Sequence, residues 1–249
     1  MESRQLRAAG RLIGVGVGPG DSHLITVKGV QALKRSPVVA FPAGRQQPGT
    51  AEQIIAPWGR RGQTRLPLEF PFVQEIGLLE AAWEKAATQV WTYLGQGLDV
   101  AFACEGDIGF YSTFTYLAQT LQRHHPQITI EAVPGICSPL AATAVLGLPL
   151  TVRSQKLAVL PALYTVDELE QALSWAEVVV LMKVSSVYPQ VWSLLKRHHR
   201  LEHSYVVAYA TRPEQRIYTD LSRHPQLELP YFSLLIVQKN PESHPDSLI

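Results

Sequence analysis

The sequence predicts an α/β protein built as two domains, each a mostly parallel or mixed sheet flanked by helices. Three features of the chain point there. Short apolar runs of strand length alternate with segments of helical spacing from residue 11 onward. The strands of the first half end in glycine-rich or acidic turns, and the alternation restarts after Pro149. The expected division is a disordered leader over residues 1–10, an N-terminal α/β domain over 11–133, a C-terminal α/β domain over 134–240 and a flexible tail over 241–249.

Residues 11–17 form a β-type run closed by Gly18-Pro19-Gly20-Asp21. Leu24, Val27, Val30 and Leu33 then repeat at helical spacing, which predicts a helix opening at Ser22. A second apolar run at 37–41 makes this a βαβ unit and predicts parallel strands. Residues 42–71, rich in Pro, Gly, Gln and Arg, lack periodicity and read as loop with room for one short helix. Strong helix formers over 73–94, with Ala81, Ala82, Ala86 and Ala87 among Glu80, Glu84 and Lys85, predict a long helix broken by Gly95 and Gly97. A buried strand over 99–104 leads through Glu105-Gly106-Asp107 into a helix over 112–124. Another strand over 128–133 ends at Pro134-Gly135, before a small-residue helix over 138–146 that Gly147 stops. In the second half, strands at 156–160, 178–182 and 205–209 alternate with helices at 166–174 and 187–198. The final apolar runs, 216–219 and 231–237, predict a hairpin at the edge of the second sheet.

Composition narrows the function. The 249 residues are 46% hydrophobic and 17% charged, enough apolar material for a substantial core. A net charge of +1 offers no basic stripe for a phosphate backbone, so nucleic acid is not the expected partner; a small molecule or a second copy is. Two cysteines, Cys104 and Cys137, neither staple a secreted scaffold nor make a metal cluster, and they fit a reducing, cytoplasmic compartment. Residues 1–10 lack the apolar core of a signal peptide, and no apolar run approaches the ~20 residues that cross a bilayer. The pairs His124-His125 and His198-His199 sit near expected helix ends and read as structural, so no protein-bound metal is expected. Trp83, Trp91, Tyr188 and Trp192 read as core or interface aromatics.

Three turns are candidates for chemistry. Gly14-Val15-Gly16-Val17-Gly18-Pro19-Gly20-Asp21 sets glycines at a strand end, where backbone without side chains lets a ligand lie close; a tight turn alone accounts for it equally well. Its spacing is neither a dinucleotide fingerprint nor a phosphate loop. In Cys104-Glu105-Gly106-Asp107-Ile108-Gly109-Phe110-Tyr111-Ser112-Thr113, the acids suit hydroxyls or amines of a ligand, while Asp107 or Ser112 is equally suited to cap the helix. Val133-Pro134-Gly135-Ile136-Cys137-Ser138 is the third. Successive units bring all three to one rim of a sheet.

Taken in order, Gly16-Val17-Gly18-Pro19-Gly20-Asp21, Glu105-Gly106-Asp107 with Tyr111-Ser112, Val133-Pro134-Gly135 with Ser138, and Leu181-Met182-Lys183 resemble the signature of the tetrapyrrole methylase family, over residues 11–239. Residues 101–117, 157–162 and 179–184 are similar to the branch that methylates carbon 20, whereas Phe41-Pro42 differs from the Tyr-Asp of the uroporphyrinogen-methylating branch. The resemblance implies a homodimer of two-domain subunits, with S-adenosylmethionine as methyl donor in an active-site cleft between domains and the tetrapyrrole, precorrin-2 or its cobalt-bearing counterpart, beside it. It implies donor contacts at Pro19, Glu105, Gly106, Asp107, Phe110, Ser112, Cys137, Ser138, Met182 and Ala210. One departure is Ile108, where the family commonly has proline.

Methyl transfer from a sulfonium needs alignment more than a catalytic triad. A base that helps remove the proton from the methylated carbon is expected at Tyr111 or Glu105. Arg45, Arg60, Arg61, Arg65 and Arg153 are candidates for holding the substrate's carboxylates, with solvated surface arginines as the alternative. Competing functions are methylation at another carbon of the corrin pathway, a nicotinamide-dependent oxidoreductase using residues 14–20, and a non-catalytic tetrapyrrole carrier.

Overall fold

The computed structural model describes residues 8–43, 49–71, 73, 75–162 and 165–239. Most of the expected leader, the expected tail and Arg45 lie outside the described residues. The chain divides into two compact units, Met1–Cys137 and Ser138–Ile249.

In the first unit, β1 (Leu12–Gly16), β2 (Val38–Ala43), β3 (Thr64–Glu69), β4 (Val100–Cys104) and β5 (Ile130–Val133) form a wholly parallel sheet in the order β3-β2-β4-β1-β5. Parallel strands need crossovers, and the helices that make them cover both faces. Side chains alternate accordingly. Leu12, Val100 and Phe102 pack with Val90 of α3 (Ile76–Leu94) and Leu117 of α4 (Thr113–His124). Ile13, Val15 and Ala101 pack with Leu33 of α1 (Val27–Arg35) and Ile54 of α2 (Thr50–Ile55). A strand buried on both faces reads as an unbroken apolar run, which is why β1 and β4 were visible in the sequence.

Two expectations for this unit are corrected. The helix expected from Ser22 is a single 3-10 turn, Ser22–Leu24, followed by α1, because the Thr26 hydroxyl accepts from Gly29 N at 3.0 Å and caps a new helix start. The restart shifts the phase of the apolar stripe and leaves Val27 76% exposed. The region expected to be loop over 42–71 contains α2 and also β3. β3 contains Pro67 and is the sheet edge, the position in a sheet where proline is tolerated.

The second unit holds a mixed sheet of β6 (Leu157–Leu160), β7 (Val178–Met182), β8 (Ser204–Ala208), β9 (Arg216–Tyr218) and β10 (Ser233–Gln238), in the order β6-β7-β10-β8-β9. Its helices are α5 (Ser138–Leu146), α6 (Val166–Trp175) and α7 (Tyr188–Arg197). Leu234 and Ile236 pack with Val180 and Ala142 of α5 on one face; Leu235 and Val237 pack with Leu169, Val191 and Leu194 of α6 and α7 on the other. The expected edge hairpin does not form. β10 lies in the centre, antiparallel to both β7 and β8, while β9 pairs with the far side of β8. The unalternated run Ser-Leu-Leu-Ile-Val-Gln, buried at every position, suits a central strand and never suited an edge. Among the described residues, no helix is long and apolar enough to cross a membrane.

Candidate active site

β4, β1 and β5 are neighbours in the parallel sheet, so the loops that leave their carboxyl ends meet, as the strand order requires. They interlock through the backbone. Gly18 N donates to Gly106 O at 3.1 Å, Gly106 N donates to Gly18 O at 2.8 Å, and Val17 N donates to Cys104 O at 2.9 Å. Both bridging glycines have left-handed backbones, Gly18 at φ +80° and Gly106 at φ +68°. Asp107 locks the third loop to the second: its Oδ2 accepts from Gly135 N at 2.7 Å and its Oδ1 from Gly109 N at 2.8 Å. Asp107 does not cap α4. That role falls to Ser112, whose Oγ accepts from Phe114 N at 3.0 Å.

The glycines of this rim differ in purpose. A side chain at Gly16 would come 2.6 Å from Gly135 N, and one at Gly135 would come 2.3 Å from Gly106 O, so these two admit neighbouring backbone. At Gly106 the nearest atoms an added side chain would meet are Cys137 Cα at 3.8 Å and Ile136 O at 3.9 Å, ordinary contact distances. Here the loop keeps a low profile, and a ligand can approach its backbone.

Around that loop, Pro19, Glu105, Asp107, Phe110 and Cys137 are half-buried, and Ser112 is buried. Tyr111 is 56% exposed, has φ 53°, and stands edge-on to Phe110 at 4.8 Å. Burial pushes the Cys104 thiol up to about 11, against a contact of 2.9 Å with Ser112 Oγ; it is a neutral core group.

The remaining expected donor contacts belong to the second unit. Met182 ends β7 and Ala210 follows β8; both strands run alike on either side of β10, so the two residues share one end of that sheet. Both pack in the cluster that includes Ala142 of α5, the helix that Ser138 opens. Lys183 (φ 54°), Tyr209 (φ 52°) and Thr211 (φ 65°) are left-handed at this same end. For residues with a Cβ such backbone is costly, and it concentrates at functional sites. Sequence reasoning had no signal for it.

The arginine candidates of the first unit are elsewhere. Arg60 and Arg61 precede β3 and so lie at the amino end of the sheet, opposite the rim. Arg60 Nε donates to Lys34 O at 2.6 Å, and Arg65 pairs with Glu52 at 3.1 Å. Arg153 lies in the turn leading into β6. The histidines have structural contacts: His124 meets Glu84 at 2.7 Å, His125 stacks on Trp91, and His198 meets Glu170 at 3.1 Å. Among the described residues, no three His, Cys, Asp or Glu side chains gather as a metal site.

The sequence model of the Tetrapyrrole (Corrin/Porphyrin) Methylases matches residues 11–224, and the chain belongs to that family. Among relatives, it is 33% identical to the precorrin-2 C(20)-methyltransferase of Sinorhizobium sp over 92% of this chain and 95% of that protein. It is 31% identical to the cobalt-precorrin-2 C(20)-methyltransferase of Salmonella typhimurium over 92% of this chain and 97% of that protein. The uroporphyrin-III C-methyltransferase of Thermus thermophilus, solved with S-adenyl homocysteine, shares the fold with a TM-score of 0.64 at 21% identity, covering 94% of this chain and 100% of its own.

Proposed function

We propose that this chain is an S-adenosylmethionine-dependent C-methyltransferase that methylates carbon 20 of precorrin-2, or of its cobalt-bearing counterpart, in corrin (cobalamin) biosynthesis. The observation that carries this reading is the similarity, over 92% of this chain and 95% and 97% of theirs, to two C(20)-methyltransferases, one for each form of the substrate. We assign the two-domain organisation to the chain, with the change of domain in the turn after β5, and expect a cytoplasmic homodimer.

The chain's residues fit the donor. S-adenosylmethionine supplies a methyl already activated by positive charge, so the protein has to bind and orient. The low backbone at Gly106, flanked by half-buried Glu105 and Phe110, suits a nucleoside lying along a loop. In this reading Pro19, Glu105, Gly106, Phe110 and Cys137 line the donor site, and Asp107 and Ser112 fix the loop's path through their backbone contacts. Ser138, Met182 and Ala210 are the further residues we propose for the donor. Tyr111, exposed and held in a left-handed backbone, is the better candidate for accepting the proton that leaves the methylated carbon, with Glu105 the other.

Anaerobic incubation with methyl-labelled S-adenosylmethionine and each form of the macrocycle, followed by NMR location of the label, tests the proposal. Label at carbon 20 supports it. Label at carbon 11 or 17, or no transfer to either macrocycle, refutes it.

A further inference from the structure

We propose that Trp58 is a positioning residue for methyl transfer: its indole N–H holds the first rim loop, and Pro19 within it, where the donor binds. The inference rests on the S-adenosylmethionine reading above, which puts Pro19 among the donor contacts. Trp58 ends a 3-10 turn, Ala56–Trp58, that follows α2, and it is half-buried. Its ring packs against the cluster that contains Val17, Ile25, Leu33 and Ile55, on the α1 and α2 face of the first sheet.

An indole has a single polar group, a donor, and here its target is the loop. Trp58 Nε1 donates to Ser22 O at 2.9 Å, across 36 residues of chain. Ser22 opens the single 3-10 turn that follows Pro19-Gly20-Asp21, and a turn this short leaves carbonyls that need a donor from elsewhere. At the other end of the same span, Gly18 is fixed by its paired backbone bonds to Gly106. Pro19 therefore sits between two fixed points, Gly18 and Ser22. Next to Ser22, His23 N donates to Asp21 Oδ1 at 2.8 Å, and the His23 ring meets Trp58 edge-on at 6.5 Å.

Trp58 can hold the loop because its own segment is anchored. Arg60 Nε donates to Lys34 O at 2.6 Å, Gln63 Nε2 donates to Leu33 O and to Ser36 O, each at 2.7 Å, and Lys34 Nζ lies 5.3 Å from the centre of the Trp58 ring. Residues 58–63 are thus strapped to the last turn of α1, while Trp58 reaches back to the turn before that helix. Packing alone would be met by phenylalanine. What the indole adds is a bond that makes the loop's resting position the one the donor requires, so that binding does not have to order it.

The test is calorimetry of the full-length protein with S-adenosylhomocysteine, comparing Trp58→Phe and Trp192→Phe with wild type. Trp58→Phe keeps a ring in the core and removes the N–H, so the free loop leaves its binding position and affinity falls about three- to tenfold, the population shift that corresponds to one hydrogen bond. KM for S-adenosylmethionine should rise, with kcat and the macrocycle KM nearly constant. Trp192 makes the matching bond in the second unit, Nε1 to Leu221 O at 2.7 Å, on the face of that sheet away from Met182 and Ala210. Trp192→Phe should lower Tm about as much and leave S-adenosylhomocysteine affinity unchanged, as a purely structural tryptophan must. If Trp58→Phe does not fold, the indole N–H signal of wild-type Trp58, assigned by substituting Trp83, Trp91, Trp175 and Trp192 in turn, decides: its exchange with solvent should slow when S-adenosylhomocysteine binds, and unchanged exchange overturns the role. A folded Trp58→Phe that binds S-adenosylhomocysteine like wild type also overturns it and leaves the donor reading standing. A wild type that ignores S-adenosylhomocysteine removes both.

Discussion

Substituting Gly16 by alanine separates the interlocked rim from the rest of the fold. The new Cβ would stand 2.6 Å from Gly135 N, 2.7 Å from Gly135 Cα and 2.8 Å from Gly106 O, all backbone atoms that no rotamer change can move. To reach an ordinary contact of 3.4 Å, the loops must part by about 0.8 Å. Overpacking of this kind costs about 1–3 kcal/mol. For a protein of this size that is a fall of roughly 2–12 °C in Tm. The effect on chemistry should be larger, since a displacement of about 1 Å in a positioned site can cost ~10²-fold in rate. Thermal denaturation, S-adenosylhomocysteine calorimetry and single-turnover methyl transfer measure the three consequences. Gly77→Ala is the control: an added Cβ there meets nothing within 4 Å on the exposed start of α3, so it should stabilise by up to ~1 kcal/mol and leave ligand binding alone. If Gly16→Ala folds, binds S-adenosylhomocysteine like wild type and keeps its rate, the backbone interlock does not set the site.

Three further outcomes are expected. With a thiol reagent at pH 8, only half-buried Cys137 should react in the folded protein and Cys104, buried and raised to about 11, should wait for denaturant; S-adenosylhomocysteine should slow Cys137, and a fast Cys104 would contradict the packing. Desolvation raises the Tyr188 phenol from 10 to about 12, while its hydroxyl donates to His224 O at 2.7 Å. A raised folded value means that this stability is intact below pH 10 and is lost as pH climbs through 12, by at most about 3 kcal/mol. Tyr188→Phe should flatten that alkaline limb in urea titrations, and an unchanged limb would count against the assignment. Ser233 Oγ is buried with no hydrogen-bond partner among the described residues, so Ser233→Ala should be neutral or slightly stabilising in thermal melts; a loss above ~1 kcal/mol would mean the hydroxyl is satisfied after all.

Much of the scaffold could be read in advance because burial on two faces writes itself as apolar runs. β1, β4 and β7 are such runs, and their boundaries came through nearly unchanged. The misses share a cause, namely that the sheet position of a segment is a tertiary fact. β3 carries Arg65 and Pro67, which only an edge tolerates, and β10 looked like half of a hairpin because β9 precedes it in the chain. Among candidate residues, Ser112 and Asp107 were both eligible to cap α4. Only coordinates show that Ser112 does so while Asp107 reaches across to Gly135. The left-handed backbones after β7 and β8 were invisible for a further reason: no pattern in sequence encodes a positive φ at Lys183 or Tyr209.

The distinction between the two kinds of glycine bears on what a signature motif can report. Gly16 and Gly135 are required by backbone meeting backbone, a constraint set by the strand order and indifferent to which macrocycle is methylated. A motif built on them therefore identifies the fold and the family. Consistent with this, a uroporphyrin-III enzyme at 21% identity shares the fold over nearly the whole of this chain. Discrimination between substrates needs side chains that touch the macrocycle, and those are free to vary once the loops are locked. In the first unit, Tyr111, exposed and held in a left-handed backbone beside the locked loops, is suited to that task. Exchanging Tyr111 for its counterpart in the uroporphyrin-III enzyme should thus shift macrocycle preference with donor affinity intact, whereas substituting the rim glycines by alanine should cost donor binding without changing preference.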